Sequence, residues 1–267
     1  MNCRSIGNEE AKELMLSLLL KFAGYCQEHN LRYFLAYGTL LGAVRHKGYI
    51  PWDNDIDVWM PRPDYERFRV MAASDPVSPE MSCLDYHETR TFPFLKAIDN
   101  RTALREHFLV TEENLGLYID IFPLDGLPDD DRKIRKILSK SETYNKLFAL
   151  ANYRFNTGSS KVIRFMKNIF YPISRLLSNR WICERINRLC EDYNFDKSFY
   201  VGNIVWGYPS KERLQKAWFE PTEGIFEHHN FVIPKGYDSI LRTYYGDYMR
   251  IPPKEKRVTH YYDVNWK

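Results

Sequence analysis

Long apolar runs, closely spaced metal-binding pairs and any large surplus of one charge are missing from this 267-residue chain. No window approaches the roughly 18 to 20 consecutive apolar residues that cross a bilayer; Ser17 interrupts one candidate and Tyr37-Gly38-Thr39 another. A membrane span is therefore not expected. The first residues carry Glu9, Glu10 and Glu13 ahead of a short apolar run. A secretory leader needs a basic start, a longer apolar centre and a small-residue cleavage site, so none is expected. Cysteine is scarce, with Cys3, Cys26, Cys83, Cys183 and Cys190 forming an odd set of five. Neither C-x-x-C nor H-E-x-x-H occurs, which disfavours zinc and fits a reduced, cytoplasmic protein. Basic groups number 38 against 35 acidic ones for a net charge of +3, leaving no global sign of a nucleic-acid binder.

The residues that are present suffice for a core: 44% are hydrophobic and 15% aromatic, too apolar for a disordered chain and enough for one large domain or two small ones. Leu14, Met15, Leu18, Leu19, Phe22 and Cys26 recur at helical spacing, which predicts a helix over residues 9–28 with a stop at Asn30. A strand is expected over 32–37, then a glycine-bearing segment over 38–48. Residues 55–60 alternate polar or aromatic with aliphatic side chains, the period of a strand, and end at Pro61 and Pro63. A short helix over 64–71 and strands over 82–87, 94–98 and 117–122 give α/β or α+β organisation. Helical patterns follow over 132–155, 161–177 and 180–193, with Pro172 expected to kink the second. Strands over 201–206 and 224–233, a helix over 237–245 and an irregular tail with Pro252-Pro253 complete the reading.

The densest chemistry runs from Tyr37 to Asp57. In an extended run Asp53, Asp55 and Asp57 share one face while Asn54 and Ile56 take the other. Carboxylates crowded in this way repel unless a proton, a basic partner or a divalent cation neutralises them. Magnesium or manganese fits, because such a cation takes one or two carboxylates and leaves positions for phosphate oxygens. A calcium loop starting at Asp53 fits poorly, since Val58 stands where that loop needs Gly and Asp64 where it needs a bidentate Glu. A solvated acidic turn is the plainer alternative, opposed by the flanking Ile50, Trp52, Ile56, Val58 and Trp59. Upstream, Gly38-Thr39 follows an expected strand, where a glycine admits a phosphate to the backbone and a hydroxyl can donate to it. Arg45, His46 and Lys47 are candidates to neutralise phosphate oxygens, or else a solvated basic turn.

Gly38-Thr39-Leu40-Leu41-Gly42-Ala43-Val44-Arg45-His46 through Pro51-Trp52-Asp53-Asn54-Asp55-Ile56-Asp57 resembles the LicD family of phosphocholine transferases and fukutin-type proteins. The resemblance continues in Tyr118 to Gly126 and in Tyr245-Gly246-Asp247-Tyr248-Met249 with Pro252-Pro253. Family members usually carry an unbroken acidic run where this chain has Asn54, a side chain that the alternation turns away from the other three. The resemblance implies a nucleotidyltransferase-like fold, a mixed sheet flanked by helices with a helical insertion. It implies Asp55 and Asp57 as paired metal ligands and Asp120, set between Ile119 and Ile121, as the third carboxylate. The implied organisation is a catalytic core over 1–128, a basic helical insertion over 129–197 and a C-terminal part over 198–267 that completes the core.

On that basis the expected reaction moves a substituted phosphate, phosphocholine first, from a CDP-linked donor to a hydroxyl of a glycan or its lipid-linked precursor, with CMP leaving. CDP-ribitol or CDP-glycerol as donor, an NTP-dependent nucleotidyl transfer and a non-catalytic membrane-associated scaffold stand as alternatives. Choline would favour an aromatic cage, which Trp52, Trp59, Trp206 and Trp218 could supply if they are not core. Between Arg132 and Arg180 stand twelve basic residues and a single acid, Glu142. An apolar stripe over 161–177 makes this stretch either a helix packed on the core or a basic amphipathic helix on the inner face of the cell membrane. His228, His229 and His260 read as structural or surface residues.

Overall fold

The computed structural model describes residues 4–86, 92–106, 115–152, 165, 169, 178–257 and 262–267. Helix α1 (Asn8–Glu28) forms where the apolar residues recur every three or four positions, and it buries Met15, Leu18, Leu19, Phe22 and Cys26. Phe22 meets the edges of Tyr33 and Phe68 at 5.3 and 5.2 Å, so one ring joins the helix to the residue just before the first strand and to the helix over 62–74. The chain then makes a two-residue strand β1 (Phe34–Leu35) and enters α2 (Tyr37–Arg45), β2 (Asp57–Pro61) and α3 (Arg62–Ser74), the last with proline in its first turn, where a missing amide costs nothing.

Strands β3 (Met81–Leu84), β4 (Leu95–Asp99), β5 (Thr102–Glu106) and β6 (Tyr118–Leu127) follow. The central sheet runs β1-β2-β6-β4-β3, with β2 and β6 parallel and the other pairs antiparallel. The ten-residue β6 is its axis, pairing β2 and β4 through its first half and β7 (Tyr200–Gly202) through its last three residues. The short β8 (Leu214–Gln215) closes that edge. The mixed α/β sheet flanked by helices is the fold class expected.

Helix α4 (Asp131–Asn152) turns Ile134, Ile137, Leu138 and Phe148 inward and leaves Arg132, Lys133, Arg135, Lys136 and Lys140 in solvent. It packs against α5 (Asn179–Asn187), capped by the Ser178 hydroxyl, which accepts from the Trp181 amide. Of the stripe over 161–177 only Phe165 and Ile169 are described, exposed at 66% and 52%; the expected kink at Pro172 lies outside the described residues.

Four expectations are corrected, the first being the strand over 201–206, which stops at Gly202 and gives way to a turn. The glycine-bearing segment after β1 is helix, because Tyr37 and the consecutive residues Thr39 to Ala43 are buried around α2, and their packing outweighs its two glycines. The strand expected over 224–233 is a hairpin of β9 (Pro221–Phe226) and β10 (His229–Pro234), reversed at Glu227 and His228 with φ of 48° and 66°. Its turn carries neither Gly nor Asn, the residues that ordinarily announce positive φ. After α6 (Tyr237–Tyr245), the tail is not irregular throughout: β11 (Tyr262–Trp266) pairs with β5 along five residues.

Candidate active site

Adjacent strands carry the floor of the site. Asp57 on β2 is the register partner of Asp120 on β6, and Asp120 is the partner of Lys96 on β4. Partners on neighbouring strands, about 4.8 Å apart, send their side chains to the same face. Two carboxylates and an ammonium therefore stand in a row. Lys96 is only 2% exposed; its Nζ lies 2.5 Å from Asp120 Oδ1 and over the rings of Phe92 and Tyr118 at 4.0 and 3.4 Å. A lysine so deep is tolerable because a carboxylate and aromatic faces replace its water.

Asp53 and Asp55 reach the same space from the extended stretch before β2. That stretch is not laddered, yet burial alternates along it, with Asn54 and Ile56 inside and Asp53, Asp55 and Asp57 facing a cavity of about 670 Å³. Burial, followed by the charges of Asp55, Asp120 and Asp53, pushes Asp57 well above the usual carboxylate range, with Lys96 opposing. Burial also raises Asp53, opposed by hydrogen bonding shared with Asp55 and by donation from the Asn54 amide. The site thus concentrates negative charge that a cation would relieve.

The N-terminus of α2 is fitted to these acids. Tyr37 opens the helix at φ 40° and lines the cavity. A Cβ on Gly38 would stand 2.6 Å from Asp53 Oδ2, so only glycine lets that carboxylate lie against the first turn. Thr39 is 2% exposed, and its Oγ1 accepts the Asp57 amide at 2.9 Å. Gly38 faces the cavity, whereas Thr39 lies behind it and holds β2 in place. Among the three basic residues that follow, Arg45 lines the cavity and donates to the Tyr248 carbonyl and to His46 Nε2. Partial burial and the Arg45 charge lower the His46 pKa, in keeping with a ring nitrogen that accepts. His46 and Lys47 do not line the cavity; Lys47 is exposed at φ 62° and its carbonyl accepts the Glu227 amide.

Several residues here were not among the site residues expected from the sequence. Trp206, Gly207 and Tyr208 form one wall, and Asp247, Tyr248 and Arg250 form another beyond α6, in the block that already resembled the family. Behind the first wall sits Glu212, fully buried, accepting from the Tyr37 and Tyr244 hydroxyls at 3.1 and 2.9 Å and from the Asn203 and Tyr208 amides at 2.8 and 3.0 Å. Burial raises its pKa to about 7 against those hydrogen bonds. Buried Glu212 and Lys96 carry no periodic or spacing signal, whereas an aromatic Trp206-Gly207-Tyr208 turn could have drawn attention. Of the four tryptophans considered for a cage, Trp52 and Trp206 line the cavity; Trp59 is fully buried and Trp218 packs on the core.

The carboxylates supply hard oxygen donors suited to magnesium or manganese. Among the described residues no group of three His, Cys, Asp or Glu side chains is already gathered as a ligand cage, and Asp120 is held by Lys96. The donor set fits such a cation, and Asp120 lines the same cavity while its Oδ1 pairs with Lys96. No helix among the described residues is long and apolar enough to cross a membrane.

Comparison with known proteins gives a consistent picture. The family described as LicD/FKTN/FKRP, nucleotidyltransferase domain, matches residues 30–171. Over 258 residues the chain is 28% identical to the lipopolysaccharide cholinephosphotransferase LicD of Haemophilus influenzae, covering 94% of this chain and 95% of that protein. An uncharacterised Rickettsia prowazekii protein is 30% identical over 102 residues, 38% of this chain and 35% of its own length. A Rickettsia typhi protein, also uncharacterised, is 41% identical over 61 residues, 22% of this chain and 20% of its own.

Proposed function

The chain belongs to the LicD/FKTN/FKRP nucleotidyltransferase-domain family, and from that premise we propose that it transfers phosphocholine from CDP-choline to a sugar hydroxyl of a lipopolysaccharide-type glycan or its lipid-linked precursor. The observation that carries the reading is the register pair Asp57 and Asp120 on the floor of a cavity that also holds Asp55. Similarity to a lipopolysaccharide cholinephosphotransferase along nearly its whole length supports phosphocholine as the transferred group and lipopolysaccharide as the acceptor class.

Asp55, Asp57 and Asp120 would hold magnesium or manganese, which when bound would polarise the attacked phosphate and offset charge on departing CMP. The protein's own part is positioning and charge. Arg45 and Arg250 bring guanidinium groups to the cavity and suit the donor's phosphate oxygens. The first turn of α2, with Gly38 at the cavity, directs its amide ends and positive dipole to the same anion. The acceptor oxygen bonds to the phosphorus that carries choline, the bond from that phosphorus to CMP breaks, and the hydroxyl proton passes to Asp120. Lys96 keeps the Asp120 carboxylate pointed into the cavity for that step.

The test is CMP release from CDP-choline, CDP-ribitol and CDP-glycerol, with lipopolysaccharide as acceptor, with and without magnesium. The expected outcome is magnesium-dependent release from CDP-choline that falls by roughly 10²-fold or more in Asp57→Asn, the scale of losing one charge-stabilising group in a preorganised site. Release only from a polyol donor would move the head group. Pyrophosphate from an NTP would replace phosphoryl transfer by nucleotidyl transfer.

A further inference from the structure

The cavity lining combines two kinds of aromatic surface. On the side of Arg45, the Trp52 ring already carries cations, with Arg45 at 6.0 Å and Arg257 at 4.3 Å from its centroid. Elsewhere in its lining, Phe122 follows Asp120 by two residues on the same face of β6 and is 4% exposed, and Trp206 and Tyr208 line the same cavity. No lysine or arginine among the described residues stacks on Phe122 or Trp206, and Tyr208 meets only Lys211, at 5.7 Å, whose Nζ is held by the Tyr244 carbonyl. Aromatic faces next to a cluster of carboxylates attract a cation that cannot donate hydrogen bonds, because the ring quadrupoles and the anions act in the same sense.

This wall is built rather than incidental. Phe94 lies between Phe122 and Trp206, at 4.5 and 5.6 Å from their centroids, and Phe148 meets Trp206 edge-on at 5.7 Å. The Trp206 amide donates to Asn203 Oδ1 at 3.1 Å, and the Tyr208 amide to buried Glu212 at 3.0 Å. Trp206 nevertheless keeps 36% of its surface exposed and Tyr208 keeps 54%, large for aromatics held so firmly.

We propose that Phe122, Trp206 and Tyr208 form the subsite for the quaternary ammonium head group of the donor, and so set its specificity for choline over uncharged polyols. The proposal rests on the transfer reading above and deepens it. An ammonium seated there lies on the aromatic side of Asp120, and the phosphates extend toward Arg45 and Arg250.

Calorimetric titration of CDP-choline, CDP-glycerol and CDP into wild type, Trp206→Leu and Trp206→Phe tests it. The wild type is expected to bind CDP-choline about 10- to 30-fold more tightly than CDP or CDP-glycerol, the size of one or two desolvated cation–π contacts. Trp206→Leu is expected to erase that preference while binding CDP as before, and Trp206→Phe, which keeps a ring, to retain most of it. Should Trp206→Leu also weaken CDP, Tyr208→Leu at its half-exposed position gives the same reading. A preference that survives both leucine variants, or equal wild-type affinity for the three ligands, overturns the subsite. CMP release without choline preference would sink the subsite and leave the transfer reaction standing, whereas failure to bind any of the cytidine ligands would remove both.

Discussion

Asp57, Asp120 and Lys96 form a row in which each side chain depends on its neighbour across a strand. Asp57 was legible through its acidic run, and Asp120, a lone carboxylate between isoleucines, through the resemblance to the LicD family. Lys96 was not, because a single lysine in an apolar strand looks the same whether it sits at an edge or under a site. Its burial gives it a testable consequence. Lys96→Met removes the partner of Asp120 while nearly preserving volume, and should destabilise the protein by roughly 3 kcal/mol, the range for breaking a buried pair from one side. Magnesium should restore more stability to Lys96→Met than to wild type, since a cation can take over the lost neutralisation. Thermal melts of both proteins with and without the metal check this; equal shifts would detach Lys96 from the carboxylate site. Gly38 and Thr39, read from sequence as a phosphate cradle, divide their labour in the structure: Gly38 gives room to Asp53, and the Thr39 hydroxyl anchors the Asp57 amide.

Elements position the walls. Helix α2 and the turn from Asn203 to Tyr208 come from distant parts of the chain and meet at Glu212, whose carboxylate binds a hydroxyl from Tyr37 and amides of Asn203 and Tyr208. A Cβ on Gly207 would approach Glu212 Oε1 to 2.3 Å, so the turn can close on the carboxylate only with glycine there. With a folded pKa of about 7 against an ordinary 4.5, the folded state keeps a proton that the unfolded state has released between those values. Stability from this group is therefore greatest below about pH 4.5, falls as pH rises toward 7, and is level above. Glu212→Gln cannot titrate, so its stability relative to wild type should rise by on the order of 2 kcal/mol between pH 5 and pH 8. Urea unfolding at the two pH values measures the difference, and a constant gap would show that Glu212 does not titrate there. Neither the helix over 37–45 nor the turn of the β9–β10 hairpin was foreseen, for opposite reasons. Glycines masked a buried helix, and positive φ at Glu227 and His228 occurs without the residues that favour it.

At the scale of the whole molecule, β11 joins the last described residues to β5, while the Ile6 amide donates to the Val264 carbonyl at 3.0 Å and Ser5 bridges Asn265. Trp266 meets the guanidinium groups of Arg4 and Arg101 at 5.7 and 5.5 Å, so segments far apart in sequence close on one strand. Removing residues 262–267 deletes a five-residue ladder and exposes the surface under Val264. A loss of about 2 to 3 kcal/mol should lower the melting temperature by roughly 4 to 12 °C for a chain near this size, which calorimetry would read; an unchanged transition would make the strand dispensable. The helix α1, the α/β class, the strands carrying Asp57 and Asp120 and the face shared by Asp53, Asp55 and Asp57 were determined by the sequence alone, because each rests on local periodicity. The pairing of Asp120 with Lys96, the burial of Glu212, the gathering of Phe122, Trp206 and Tyr208 at one cavity and the β5–β11 clamp were decided only by tertiary structure. Each depends on which strands become neighbours, and no short-range pattern of side chains encodes that choice.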